Sequence, residues 1–145
     1  MAGKIFIDTN ILVYANNTLS PLCATARTKL QDAFVNYSEV WVSRQVFREF
    51  AAVVTREMLA AGNVDFDKLE KTIRRFEQDF LTAEDSQSVT HRWLQLLKET
   101  NSAGKQVHDA NITATMLIYG IDSLLTHNVA DFQRFSQLIT VVPLI

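Results

Sequence analysis

A chain of 145 residues, 48% hydrophobic and 21% charged, is long enough to bury about two-thirds of its unfolded surface in one domain and too apolar to stay disordered. A formal net charge of −2 excludes the broad basic footprint that holds polyanions over a whole surface, so any polyanion partner must be gripped locally. A single cysteine, Cys23, excludes an internal disulfide and a cysteine-based zinc site; with no apolar run long enough for a bilayer and no signal-peptide pattern, a cytoplasmic protein is expected.

Ile5-Phe6-Ile7 are three consecutive bulky apolar residues and predict a strand buried on both faces, the pattern of a parallel sheet covered by helices. Asp8 ends it, where open α/β sheets place their ligand crevice, although Asp8-Thr9-Asn10 is also good turn and helix-cap chemistry. A short helix over 11–15, started by Thr9 or Asn10, leads into a loop at Thr18-Leu19-Ser20-Pro21. Leu22, Ala26, Leu30, Ala33 and Phe34 then mark a helix over about 23–34, with Cys23 a small core or boundary residue. Val40-Trp41-Val42 reads as the second strand.

Ser43 begins the longest helical pattern, to about residue 61, with Gly62-Asn63 as its stop. Val46, Phe47, Phe50, Val53, Val54 and Met58 form its apolar stripe, while Arg44, Arg48, Arg56 and Glu57 suit the solvent side. Glu49 interrupts the stripe: its cylinder neighbours are Val46 and Val53, so this acid lies at the inner edge and needs a partner. A further amphipathic helix spans 65–80, with Phe66, Leu69, Ile73, Phe76 and Phe80 inward and Lys68, Lys71, Arg74 and Arg75 outward. That basic cluster is either a solvated face or a phosphate-backbone contact.

Residues 89–99, containing Trp93, Leu96 and Leu97, make another helix, and 101–105 a loop whose Gly104-Lys105 pair lacks the rest of a phosphate-binding P-loop. The helix over 107–119 has Asp109 at its beginning and Gly120 past its end; His108 beside Asp109 is either a boundary or a cleft residue. Residues 121–126 return to a strand, 126–132 leave it as a loop, and 139–142 form a last strand at the sheet edge, ended by Pro143. Strands alternating with helices predict an α/β fold with a central, mostly parallel sheet flanked by helices.

Asp8, Glu49 and Asp131 each follow a predicted strand, and Asp109 begins the helix leading into the later one. If these strands are neighbours, four carboxylates converge on one crevice at the sheet's carboxyl edge. Like charges so placed raise one another's pKa values, and without basic partners they imply a cation; oxygen ligands of this kind suit Mg²⁺ or Mn²⁺.

Asp8-Thr9-Asn10, the Ser43…Glu49 helix start, Val107-His108-Asp109-Ala110 and Leu125-Thr126-His127-Asn128-Val129-Ala130-Asp131-Phe132 together resemble the motifs of PIN-domain ribonucleases, most closely the VapC-type toxins of toxin–antitoxin pairs. The resemblance spans nearly the whole chain and makes residues 1–145 one PIN-like domain. It implies a metal-dependent endoribonuclease, commonly a homodimer, that cleaves RNA and is inhibited by a cognate antitoxin whose tail occupies the groove. It also makes Asp8, Glu49 and Asp109 the core acids and metal ligands, with Asp131 the fourth, whose place Asn128 shares or takes. Thr9 or Asn10, Ser43, and Thr126 or Asn128 organise the carboxylates or the substrate.

Mg²⁺ or Mn²⁺ held there activates water for attack on a phosphodiester, and a second ion near Asp131 would stabilise the leaving oxygen. Two readings compete, beside a DNA or flap nuclease of related architecture. One is a catalytically weak PIN-fold module that binds RNA or protein. The other is purely structural, with Asp8, Asp109 and Asp131 as caps and turns and Glu49 paired with Arg48 or Arg92.

Overall fold

The computed structural model describes residues 2–145. Its first strand, β1 (Ala2–Ile7), carries Ile5, Phe6 and Ile7 at 2% exposure or less. Because successive strand side chains point to opposite faces, both faces of the sheet are covered at this point. Asp8 is the N-cap of α1 (Thr9–Ala15), accepting from the Thr9 backbone N–H, so the helix starts two residues earlier than the sequence suggests. Cys23, buried, opens α2 (Cys23–Asn36), which runs directly into β2 (Tyr37–Ser43). Ser43 caps α3 (Arg44–Ala60) as its position before the long stripe requires.

Asp65 caps α4 (Phe66–Asp79). Its inward residue Phe76 meets Phe50 edge-on at 5.0 Å and lies near Phe47 and Phe80, an aromatic cluster that fixes α4 against α3. Phe66 departs from the expected stripe: it stands at the first helical position, beyond the reach of the core, and is 66% exposed. The basic residues Lys68, Lys71, Arg74 and Arg75 are exposed as expected, with Arg74 paired to Glu70 and Glu77.

A short strand that the pattern did not predict follows, β3 (Leu81–Ala83), then α5 (Gln87–Thr100) and α6 (Gln106–Tyr119). Gly120 ends α6 with φ 68, the left-handed conformation that a residue without Cβ adopts freely. The chain then enters β4 (Ser123–Thr126), which is buried throughout. The stretch expected to be a loop is a 3₁₀ helix, Val129–Phe135, anchored by buried Phe132 and Phe135. β5 (Thr140–Pro143) closes the sheet and includes Pro143, which an edge strand tolerates.

The five strands lie in the order β3-β2-β1-β4-β5, and every neighbouring pair is parallel. From β1 the chain builds outward through β2 to β3, then crosses back to place β4 on the other side of β1 and β5 beyond it. The strand order therefore reverses at β1, where Phe6 pairs with Trp41 of β2 and Leu124 of β4. Connections leaving the carboxyl ends of β1 and β4 diverge at such a point and open a crevice.

Candidate functional site

Asp8 stands at the mouth of that crevice. Its backbone N–H continues the ladder to Leu125 of β4 at 3.0 Å, which brings the end of β1 beside Thr126. The side chain is only 6% exposed and accepts three hydrogen bonds: from Thr9 N (2.8 Å), Asn10 Nδ2 (3.1 Å) and Thr126 Oγ1 (2.8 Å). Capping occupies Oδ1, whereas Asn10 and Thr126 converge on Oδ2. Cap and site member are thus one residue using two oxygens. Thr126 Oγ1 also accepts from Asn128 N, and Asn10 Oδ1 accepts from His127 N, so the turn after β4 is pinned to the start of α1.

Glu49 projects from α3 toward the same place. Thr9 Oγ1 donates to its Oε1 at 3.4 Å and Gln45 Nε2 at 3.2 Å. The arginine pairing that a structural reading needs does not occur: Arg48 pairs with Asp85 and Arg92 with Glu99. Asp109 lies in the first turn of α6, half-buried, and Asp131 lies, exposed, in the first turn of the 3₁₀ helix. Ser43 serves as the α3 cap, accepting from Val46 N at 3.4 Å at the start of the helix that carries Glu49. Asn128 is exposed and precedes the 3₁₀ helix.

Electrostatics ties the four acids together. Burial pushes Asp8 above the usual carboxylate range against its three donors, and the Asp131 charge adds to the rise. Glu49 is raised by burial and then by Asp8, with Gln45, His108 and Thr9 opposing. Asp109 is pushed up to about 7 by burial and by the charges of Asp131, Asp8 and Glu49, with Lys105 opposing. Among the described residues, none of the salt bridges includes any of these four carboxylates. Nor do any three His, Cys, Asp or Glu side chains among them stand close enough to share one ion. The acids are within electrostatic reach of one another without being gathered on a single point.

The donor set is that of a hard divalent cation: carboxylate oxygens, with charge left uncompensated by lysine or arginine pairing. The carboxylates on offer are those of Asp8, Glu49, Asp109 and Asp131, no three of which meet at one point. Sequence reasoning missed Gln45 and Asn111. Gln45 is buried on α3, and Asn111 of α6 donates to its Oε1 at 2.7 Å. The available signal was spacing: Gln45 precedes Glu49 by four residues, on the same helix edge, and Asn111 follows Asp109 by two.

The comparisons with known proteins agree with this fold. The family model of the PIN domain matches residues 5–138. No curated protein sequence matches. Among solved structures, a chain of VapBC2 from Rickettsia felis, bound to a DNA fragment from its promoter, superposes with a TM-score of 0.68 at 17% identity, covering 97% of this chain and 98% of that one. A chain of a toxin–antitoxin complex from Klebsiella pneumoniae gives 0.64 at 22% identity, over 97% and 98%. VapC20 of Mycobacterium tuberculosis, a toxin that cleaves the sarcin-ricin loop, gives 0.64 at 16% identity, over 83% and 86%. At these identities the likeness is one of fold.

Proposed function

The chain belongs to the PIN domain family, and on that premise we propose that it is a metal-dependent endoribonuclease of the VapC toxin type, acting in the cytoplasm as a homodimer and held in check by an antitoxin. The observation that carries this reading is the set of four acids at the switch point of the sheet, free among the described residues of lysine and arginine ion pairs, with Asp8, Glu49 and Asp109 pushed upward by burial and by neighbouring acid charge. The toxin–antitoxin complexes among the neighbours support the antitoxin partner, and VapC20's target supports RNA as substrate.

Asp8, Glu49, Asp109 and Asp131 would hold Mg²⁺ or Mn²⁺. When bound, the ion supplies positive charge that activates water and offsets the charge of a phosphodiester's oxygens. The protein's own groups prepare for this. Hydrogen bonds from Thr126, Asn10 and the Thr9 N–H favour the anionic form of Asp8 against the burial that raises it, and those from Thr9 and Gln45 do the same for Glu49. Asp109, pushed up to about 7 by burial and by its acidic neighbours, would give up its proton more readily were their charge offset by a bound cation. Asn128, exposed and donating its backbone N–H to Thr126 Oγ1, would meet substrate at the rim.

Cleavage of a structured RNA pool by EDTA-stripped protein, with and without Mn²⁺, tests the proposal. Mn²⁺-dependent products bearing new 5′ or 3′ ends are expected from wild type, and Asp8→Asn is expected to lose more than about 100-fold of that rate. RNA that is retained but uncut by wild type in Mn²⁺ would instead identify a catalytically weak binding module.

A further inference from the structure

Gln45 is a buried amide, 6% exposed, on the face of α3 that meets α6. All of its polar atoms are engaged: Nε2 donates to Glu49 Oε1 (3.2 Å) and to the His108 carbonyl (3.0 Å), and Oε1 accepts from Asn111 Nδ2 (2.7 Å). The surroundings fix which way the amide points. The backbone carbonyl of His108 can only accept, and an ionised Glu49 can only accept, so a flipped amide would face two acceptors with its oxygen. A buried side chain bonded to three groups on two helices has little rotamer freedom, and what it holds is held to within a narrow range.

Resting on the endoribonuclease reading, we infer that Gln45 is a positioning residue: it clamps the Glu49 carboxylate by one oxygen and locks α3 to the first turn of α6, setting the separation of Glu49 and Asp109. The His108 carbonyl and Asn111 flank Asp109 in sequence, so the same amide that touches Glu49 also fixes the backbone on either side of the other acid. Thr9 is a second, longer donor to Glu49 Oε1 at 3.4 Å, which leaves Gln45 the closer of the two. Groups that orient metal-binding carboxylates in this way typically govern affinity by 10- to 100-fold.

The test is Mn²⁺ affinity, read from the electron paramagnetic resonance signal of free Mn²⁺, on full-length protein well below its melting temperature. Gln45→Met keeps the length and shape of the side chain and removes its hydrogen bonds. Its Mn²⁺ dissociation constant is expected to rise about tenfold. In a Glu49→Gln background the same substitution should change Mn²⁺ affinity by less than about twofold, because its effect passes through Glu49. A role confined to packing would lower the melting temperature in both backgrounds without producing that dependence.

Should Gln45→Met fail to fold, Asn111→Ala, at a half-buried position, loosens the amide from its other side and should weaken Mn²⁺ about threefold, the scale of one net hydrogen bond. Unchanged affinity in the folded variant, or an equal loss with and without Glu49, overturns the assignment of Gln45 alone, provided wild type binds Mn²⁺ and Asp8→Asn does not. Absence of Mn²⁺ binding by wild type overturns the endoribonuclease reading and this one with it.

Discussion

Two groups of acids in this molecule show opposite treatment of the same chemistry. Around Arg44, Glu77 of α4 and Glu84 after β3 lie 2.7 and 2.8 Å from one guanidinium, and Asp85 lies 3.2 Å from Arg48. Arg44's hydrogen bonds hold Glu77 and Glu84 below the usual carboxylate range. At the switch point, Asp8, Glu49 and Asp109 are pushed above it, and neutral groups (Thr126, Asn10, Thr9 and Gln45) supply the hydrogen bonds to Asp8 and Glu49. The first group carries its cation within the chain and works as a fastener between elements. The second, on the proposed reading, would take its cation from outside. Burial and the identity of the nearest donor separate the two, not the acids themselves.

The comparison breaks most visibly with added metal. Millimolar Mn²⁺ at about 100 times its dissociation constant should stabilise the wild type by roughly 2.7 kcal/mol, a rise of about 5–10 °C in melting temperature. Arg44→Ala should keep that response and Asp8→Asn should lose it. A response that instead follows Arg44 would place the cation in the wrong group.

A smaller effect sharpens the contrast in pH. Asp109's raised pKa means that its favourable contribution is complete below the ordinary value of 3.8 and is lost as pH rises through about 7. In metal-free protein, Asp109→Asn should therefore gain on wild type as pH goes from 5 to 8. With the partial exposure of this side chain discounted, the gap should reach about 1 kcal/mol, or about 3 °C by calorimetry.

The smallest change is expected from Arg44→Ala, and its sign is reversed. Glu77 and Glu84 are held low, so their contribution is present above 4.5 and disappears as pH falls through their folded values. The melting temperature of Arg44→Ala should lie slightly below wild type at pH 7 and converge with it near pH 3. Convergence on raising the pH would contradict the assignment.

Much of this was legible in the sequence because local patterns encode it. Ile5-Phe6-Ile7, the 43–61 stripe, Gly120 and the acids after strands all fall where burial period and cap chemistry put them. What escaped depends on distant partners. Leu81-Thr82-Ala83 is too short to show a period, and becomes a strand only because Trp41, Val42 and Ser43 offer a parallel edge. The 3₁₀ helix after β4 follows Asn128 and contains Asp131, polar residues that read as a loop until buried Phe132 and Phe135 anchor it. Arg44, placed in solvent by its helix face alone, meets acids 33 and 40 residues away. Gln45 was hidden for the same reason: its carbonyl and amide partners are on α6.

The pairing of β1 with β4 spans more than a hundred residues, and the Asp8–Thr126 hydrogen bond closes a separation of 118. During synthesis, Asp8, Glu49 and Asp109 all leave the ribosome before β4 does. Until that strand inserts beside β1, Asp8 lacks the Thr126 donor and the crevice lacks a wall. Both the cleft and the repulsion it concentrates thus depend on a long-range pairing, the kind of contact that forms slowly. A growing chain is spared its own charged site until the sheet that supports it is nearly whole.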